Sequence, residues 1–88
     1  MKNANNKKKE IEMNKSIFQK MADDWQAPIV ARTEILNFTG GALSDRYLAN
    51  LDSLGQGPSG RFRMGRKIVY PVRELVLWLQ KRSTTIKA

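Results

Sequence analysis

The sequence predicts a single small domain, mainly α-helical with one β-hairpin. Three observations carry that expectation. Segments near 10–25, 33–38, 44–54 and 71–82 repeat apolar residues at helical spacing, between proline, glycine and capping residues. The run Arg61-Phe62-Arg63-Met64-Gly65-Arg66-Lys67-Ile68-Val69-Tyr70 instead alternates apolar and basic residues about one glycine. The chain has 88 residues and no cysteine, enough for one domain that buries only about 60% of its unfolded surface.

Residues 1–9 are expected to form a disordered basic tail. Residues 10–27 read as an amphipathic helical extension, with Ile11, Ile17, Phe18, Met21, Ala22 and Trp25 on one stripe. Gln26-Ala27-Pro28 closes it, because the residue before a proline is pushed out of the helical region. Docking on its own domain is the plain reading of this helix, with a dimer contact or a segment that orders only on binding as the alternatives. Glu10, Glu12, Asp23 and Asp24 argue against a membrane surface.

Residues 28–82 make the domain proper. A helix is expected from Thr33 to Phe38, with Thr33 as N-cap, Glu34 in the first turn and Ile35, Leu36 and Phe38 as apolar contacts. Thr39-Gly40-Gly41 breaks it, and either glycine can take the left-handed cap conformation. The next helix starts at Ser44 or Asp45 and runs to Leu54. Leu48 and Leu51 form its buried stripe, with Tyr47 and Leu54 at the margins and Arg46, Ala49, Asn50 and Ser53 outside. Gly55 ends it. Two short helices about a glycine turn, the second small and polar on its outer face, outline a helix-turn-helix, an outline any αα-hairpin shares.

The hairpin has two candidate registers. A two-residue turn at Gly65-Arg66 pairs Met64 with Lys67 and Phe62 with Val69, and puts Ile68 and Tyr70 on the face of Arg61 and Arg63. A three-residue loop, Gly65 to Lys67, pairs Met64 with Ile68 and Phe62 with Tyr70. The second turns all four apolar groups inward, points Arg61 and Arg63 out and crowns the tip with Arg66 and Lys67. It is the expected register. Pro71 then opens the last helix at its first position, with Val72, Leu75, Trp78 and Leu79 as core stripe and Lys81-Arg82 at its negative end. Residues 83–88 are expected to fray.

Sixteen Lys/Arg against eight Asp/Glu give a net charge of +8, which favours anionic partners, nucleic acid first. Residues 1–28 carry six cations and four acids, and residues 29–88 carry ten and four, so the excess belongs mainly to the domain. Arg61, Arg63, Arg66 and Lys67 fall within seven positions without an acid. Cations do protect exposed strand edges, but phosphate contact accounts better for so uniform a sign. Without His or Cys, the usual general base, thiol nucleophile and zinc ligands are missing. Glu34, Asp45, Asp52 and Glu74 are scattered, each where a helix end or surface ion pair explains it. No catalytic, metal or cofactor site is expected. The first nine residues lack the apolar stretch of a secretory leader and no run could span a membrane, so the cytoplasm is the expected compartment.

The order of these pieces resembles the compact winged helix-turn-helix family of phage and mobile-element excisionases and AlpA-type regulators, related to the MerR-type DNA-binding domain. The residues that carry the likeness are Thr39-Gly40, Tyr47-Leu48-Ala49-Asn50-Leu51, Gly55-Gln56-Gly57-Pro58, Met64 to Tyr70, and Leu75 with Trp78-Leu79. The resemblance implies that Ser44, Arg46, Tyr47, Ala49 and Asn50 face the major groove. It implies that Arg61, Arg63, Arg66 and Lys67 form a wing on the backbone or adjacent minor groove. Asn50 would suit adenine and Arg46 guanine, each with roughly 1–3 kcal/mol of discrimination. The chain departs from the pattern in a longer turn at Thr39 to Leu43 and in the helix at 10–25.

The expected function is sequence-specific binding of double-stranded DNA, as a small transcriptional regulator or an excisionase-like recombination factor. Its further partners would be an integrase or recombinase in one role and RNA polymerase in the other, with self-association open and no membrane. The rival readings are an RNA-binding or ribosome-associated basic protein, and a protein-interaction module that uses the N-terminal helix.

Overall fold

A computed structural model describes residues 17–86. The expected tail at 1–9, the first part of the expected helix at 10–16, and residues 87–88 lie outside them. Helix α1 covers 17–24. It is followed by β1 (Ile29–Ala31), a 3-10 turn (Arg32–Glu34), α2 (Ile35–Phe38), α3 (Asp45–Ser53), β2 (Phe62–Met64), β3 (Lys67–Pro71) and α4 (Val72–Arg82).

Helix α1 docks on its own domain. Phe18, Met21 and Ala22 pack against the core, and Trp25, just beyond the helix, meets Phe38 edge-on with ring centroids 5.3 Å apart. Trp25 Nε1 donates to the Ile29 carbonyl at 2.8 Å, which fixes the chain where it enters β1.

Thr33 is not an N-cap. It lies inside the 3-10 turn, and neither Ala31 before that turn nor Glu34 before α2 makes a side-chain cap. The backbone already turns at Arg32 because β1 delivers it there. Both α2 and α3 end in paired bonds that need a left-handed residue. Gly41 N–H donates to Leu36 O at 2.8 Å and Gly40 N–H to Asn37 O at 3.2 Å. Gln56 N–H donates to Leu51 O at 2.8 Å and Gly55 N–H to Asp52 O at 3.0 Å, with φ of 64° at Gly40 and 73° at Gly55. The longer turn between α2 and α3 is held by Thr39, whose Oγ1 donates to Ile35 O at 2.9 Å and accepts from Leu43 N–H at 3.1 Å.

The three strands form an antiparallel sheet in the order β1-β3-β2. Strand β1 is invisible to periodicity: three residues between Pro28 and Arg32 become a strand only because β3 offers them an edge. The hairpin register corrects the expectation. Phe62 pairs with Val69, Arg63 with Ile68 and Met64 with Lys67, so the turn has two residues, with Gly65 at φ 63° and Arg66 in ordinary negative φ. That is a turn suited to the right-handed strand twist, with glycine at its first central position. The three-residue loop assumed one apolar face. In the fold β3 is the central strand and buries both: Val30, Tyr70 and Ile68 face the helices, whereas Ile29, Ala31 and Val69 share the opposite face.

Phe62 and Met64 lie on that opposite face and remain 44% and 53% exposed, not turned inward. There Met64, Lys67, Val69, Ile29 and Ala31 border an open groove of about 610 Å³ beside Trp25. The core proper joins Val30, Ile35, Phe38, Leu43, Leu48, Tyr70, Val72, Leu75 and Val76. Pro71 still belongs to β3 and serves as the N-cap of α4, while Val72 N–H donates back to Pro28 O at 2.9 Å. Trp78 and Leu79 are half-buried at the core margin, and Val76 fills the stripe in their place. Leu54 is left exposed at the end of α3.

Candidate nucleic-acid interface

Helix α3 starts at a strong cap. Ser44 is extended, and its Oγ accepts from Tyr47 N–H at 3.1 Å. Asp45 sits in the first turn, where its carboxylate complements the positive helix end and accepts from Arg46 N–H at 2.8 Å. Leu48 and Leu51 anchor the helix in the core. With about 100° between successive residues, that anchoring turns Arg46, Asn50 and Ser53 to the outside, and all three are exposed. Ala49 is half-buried at the edge of this face. Among the described residues the Asn50 carboxamide and the Arg46 guanidinium have no hydrogen-bonding partner or ion pair. Tyr47 lies toward α4 instead, where its hydroxyl accepts from Arg82 Nη2 at 3.2 Å.

Arg61, Arg63, Arg66 and Lys67 are all exposed. Arg63 shares the face of Ile68 and Lys67 that of Met64, while Arg66 sits in the turn, so the cations surround the hairpin tip. Arg63, Arg66 and Lys67 make no ion pair among the described residues. Arg61 departs from the expected outward position. The two-residue turn puts it on the side of Tyr70, and its Nη1 lies 3.8 Å from Asp52 Oδ1.

Asp52 departs furthest from the position expected of it. It is 5% exposed, a buried carboxylate in the last turn of α3 rather than one of a surface ion pair. Its Oδ2 accepts from Arg32 Nη2 at 2.7 Å and from the Tyr70 hydroxyl, and Arg32 Nε also donates to the Tyr70 oxygen at 2.9 Å. Among the described residues its Oδ1 has only the Arg61 ion pair. One carboxylate thereby ties α3 to β3, to the turn after β1 and to the chain leading into β2. Burial, reinforced by the hydrogen bond to Asp52, pushes the Tyr70 phenol up to about 12. Burial opposes the Arg32 charge, but its bonds to Tyr70 and Asp52 outweigh this and raise its pKa. The sequence held one signal of this cluster: Asp52 falls one turn after Leu48, on the apolar stripe of α3.

The arrangement offers free hydrogen-bonding groups on α3 and an uncompensated cationic hairpin, joined at their bases by Asp52. Among the described residues no group of three His, Cys, Asp or Glu could hold a metal, and no helix is long and apolar enough to cross a membrane. No family model, curated protein or solved structure matches the chain.

Proposed function

We propose that the chain binds double-stranded DNA with sequence preference, as a winged helix-turn-helix protein of the excisionase or AlpA-type kind, in transcriptional control or site-specific recombination. Helix α3 enters the major groove with Arg46 and Asn50 toward base edges, and the hairpin grips phosphate through Arg63, Arg66 and Lys67. One observation supports this reading above the others: three exposed hairpin cations, without ion pairs among the described residues, stand on an element tethered to α3 through Asp52. Edge protection alone would not require cations on both faces and at the turn. Ser44 acts mainly by capping the helix, and Arg61 divides its charge between Asp52 and solvent.

Selection of bound duplexes from a random pool tests the proposal. A shared short motif is the expected result. Recovery of no motif, or preference for single-stranded RNA in a parallel pool, would contradict it and favour the RNA-binding reading.

A further inference from the structure

Surface arginines on a helix end are ordinarily free to move, yet Arg82 is held on two sides. Its guanidinium lies over the Trp78 ring, 4.9 Å from the centroid, and its Nη2 donates to the Tyr47 hydroxyl on α3 at 3.2 Å. Trp78 is itself fixed, because Nε1 donates to the Gln56 carbonyl at 2.9 Å in the loop after α3. Four residues from three segments therefore form a chain across the seam between α3 and α4. Support of α4's negative end would not require this geometry, since any cation in the last turn supplies it.

A guanidinium carries five N–H donors in a planar fork, and Tyr47 takes one. Among the described residues no other group accepts from the remainder. Stacking on the indole orders the fork before any ligand arrives, which lowers the entropy cost of a bidentate contact. Arg82 is exposed, and its contact with Tyr47 places it beside the outer face of α3.

We propose that Arg82 is a third contact of the nucleic-acid surface, taking a backbone phosphate beside the groove that α3 enters and holding Tyr47 in position there. This rests on the DNA-binding reading. The surface then has a cation on each side of α3, the hairpin on one and Arg82 on the other, so that α3 is fixed in depth as well as register.

The test is equilibrium binding of the full chain and of Arg82→Gln, Arg82→Lys and Tyr47→Phe variants to a short mixed-sequence duplex across a salt series. Loss of one phosphate contact should weaken Arg82→Gln by about fivefold near 0.15 M salt and make its slope of log K against log salt shallower by about one. Arg82→Lys should recover the slope, and Tyr47→Phe should keep it. An Arg82→Gln variant with the parent slope overturns the proposal, whatever happens to its melting temperature. Failure of Arg82→Lys to recover a lost slope also overturns it. If the parent chain itself shows no salt-dependent duplex affinity, the DNA reading fails and Arg82's role falls with it.

Discussion

Arg32 donates to Asp52 at 2.7 Å across twenty positions of sequence, joining the turn after β1 to the last turn of α3. The carboxylate side chain is 3% exposed and the guanidinium side chain 25%, so the two partners are not equivalent. Removing Arg32 leaves a buried anion with the Tyr70 hydroxyl and the longer Arg61 ion pair at 3.8 Å, whereas removing the charge of Asp52 leaves a cation that can turn toward water. Arg32→Ala should therefore cost about 3–5 kcal/mol. Asp52→Asn should cost less, about 1–3 kcal/mol. Urea denaturation midpoints of the two variants measure this, and the reverse order would contradict this asymmetry between the partners.

Tyr70 gives the fold an alkaline limit. Its pKa rises from 10.0 to about 12 on folding, because burial and the bond to Asp52 favour the neutral phenol. Below pH 10 the phenol is protonated in both states and its contribution is whole. Between about 10 and 12 only the unfolded chain releases the proton, so stability falls, by an amount on the order of 2–3 kcal/mol in all. Tyr70→Phe cannot titrate and should lose the corresponding part of the pH dependence. Urea midpoints at pH 9, 10, 11 and 12 for both proteins supply the comparison.

Gly57 is required by space rather than by a left-handed backbone. A Cβ there would fall on Asp52 Oδ1, 2.9 Å from its Cγ and 3.3 Å from its Cα. Asp52 cannot retreat without releasing Arg32 and Tyr70. Gly57→Ala should destabilise by about 1–3 kcal/mol, as overpacking of a closed site does. In Gly57→Ala combined with Asp52→Ala, the added cost of the alanine should shrink, and thermal melts of the four proteins of that cycle test it.

Asn50 and Arg63 should fail in different ways. Asn50→Ala removes a free carboxamide from the outer face of α3, so discrimination should relax at one base position by roughly 1–3 kcal/mol while the salt slope stays unchanged. Arg63→Gln should weaken all duplexes alike and make the slope shallower by about one. Competition binding against single-base variants of a selected site separates the two.

What the sequence revealed was local. Ser44 and Gly55 bracket α3 because a cap and a left-handed glycine act within a few residues of themselves. The spacing of Leu48 and Leu51 turns Arg46 and Asn50 outward by helix geometry alone. What it hid depends on distant partners. Strand β1 exists through pairing with β3, and the hairpin register follows from Val69 being buried on the face away from Tyr70. The one-faced pattern of Phe62, Met64, Ile68 and Tyr70 is therefore misleading, and the expected position of Arg61 depends on it. Arg32, Asp52 and Tyr70 are separated by twenty and eighteen positions, and only the place of Asp52 on an apolar stripe hinted at their meeting.

In the proposed function α3 and the hairpin together hold a duplex. This is tested most directly by duplex affinity across a salt series, for the parent chain and for the triple variant Arg63→Gln, Arg66→Gln, Lys67→Gln. With about four to six phosphates contacted, log K should fall against log salt with a slope of roughly −4 to −5, and the triple variant should lose about three units of it. A flat response in the parent chain, or a triple variant that binds with the same slope, would rule out phosphate contact by the hairpin.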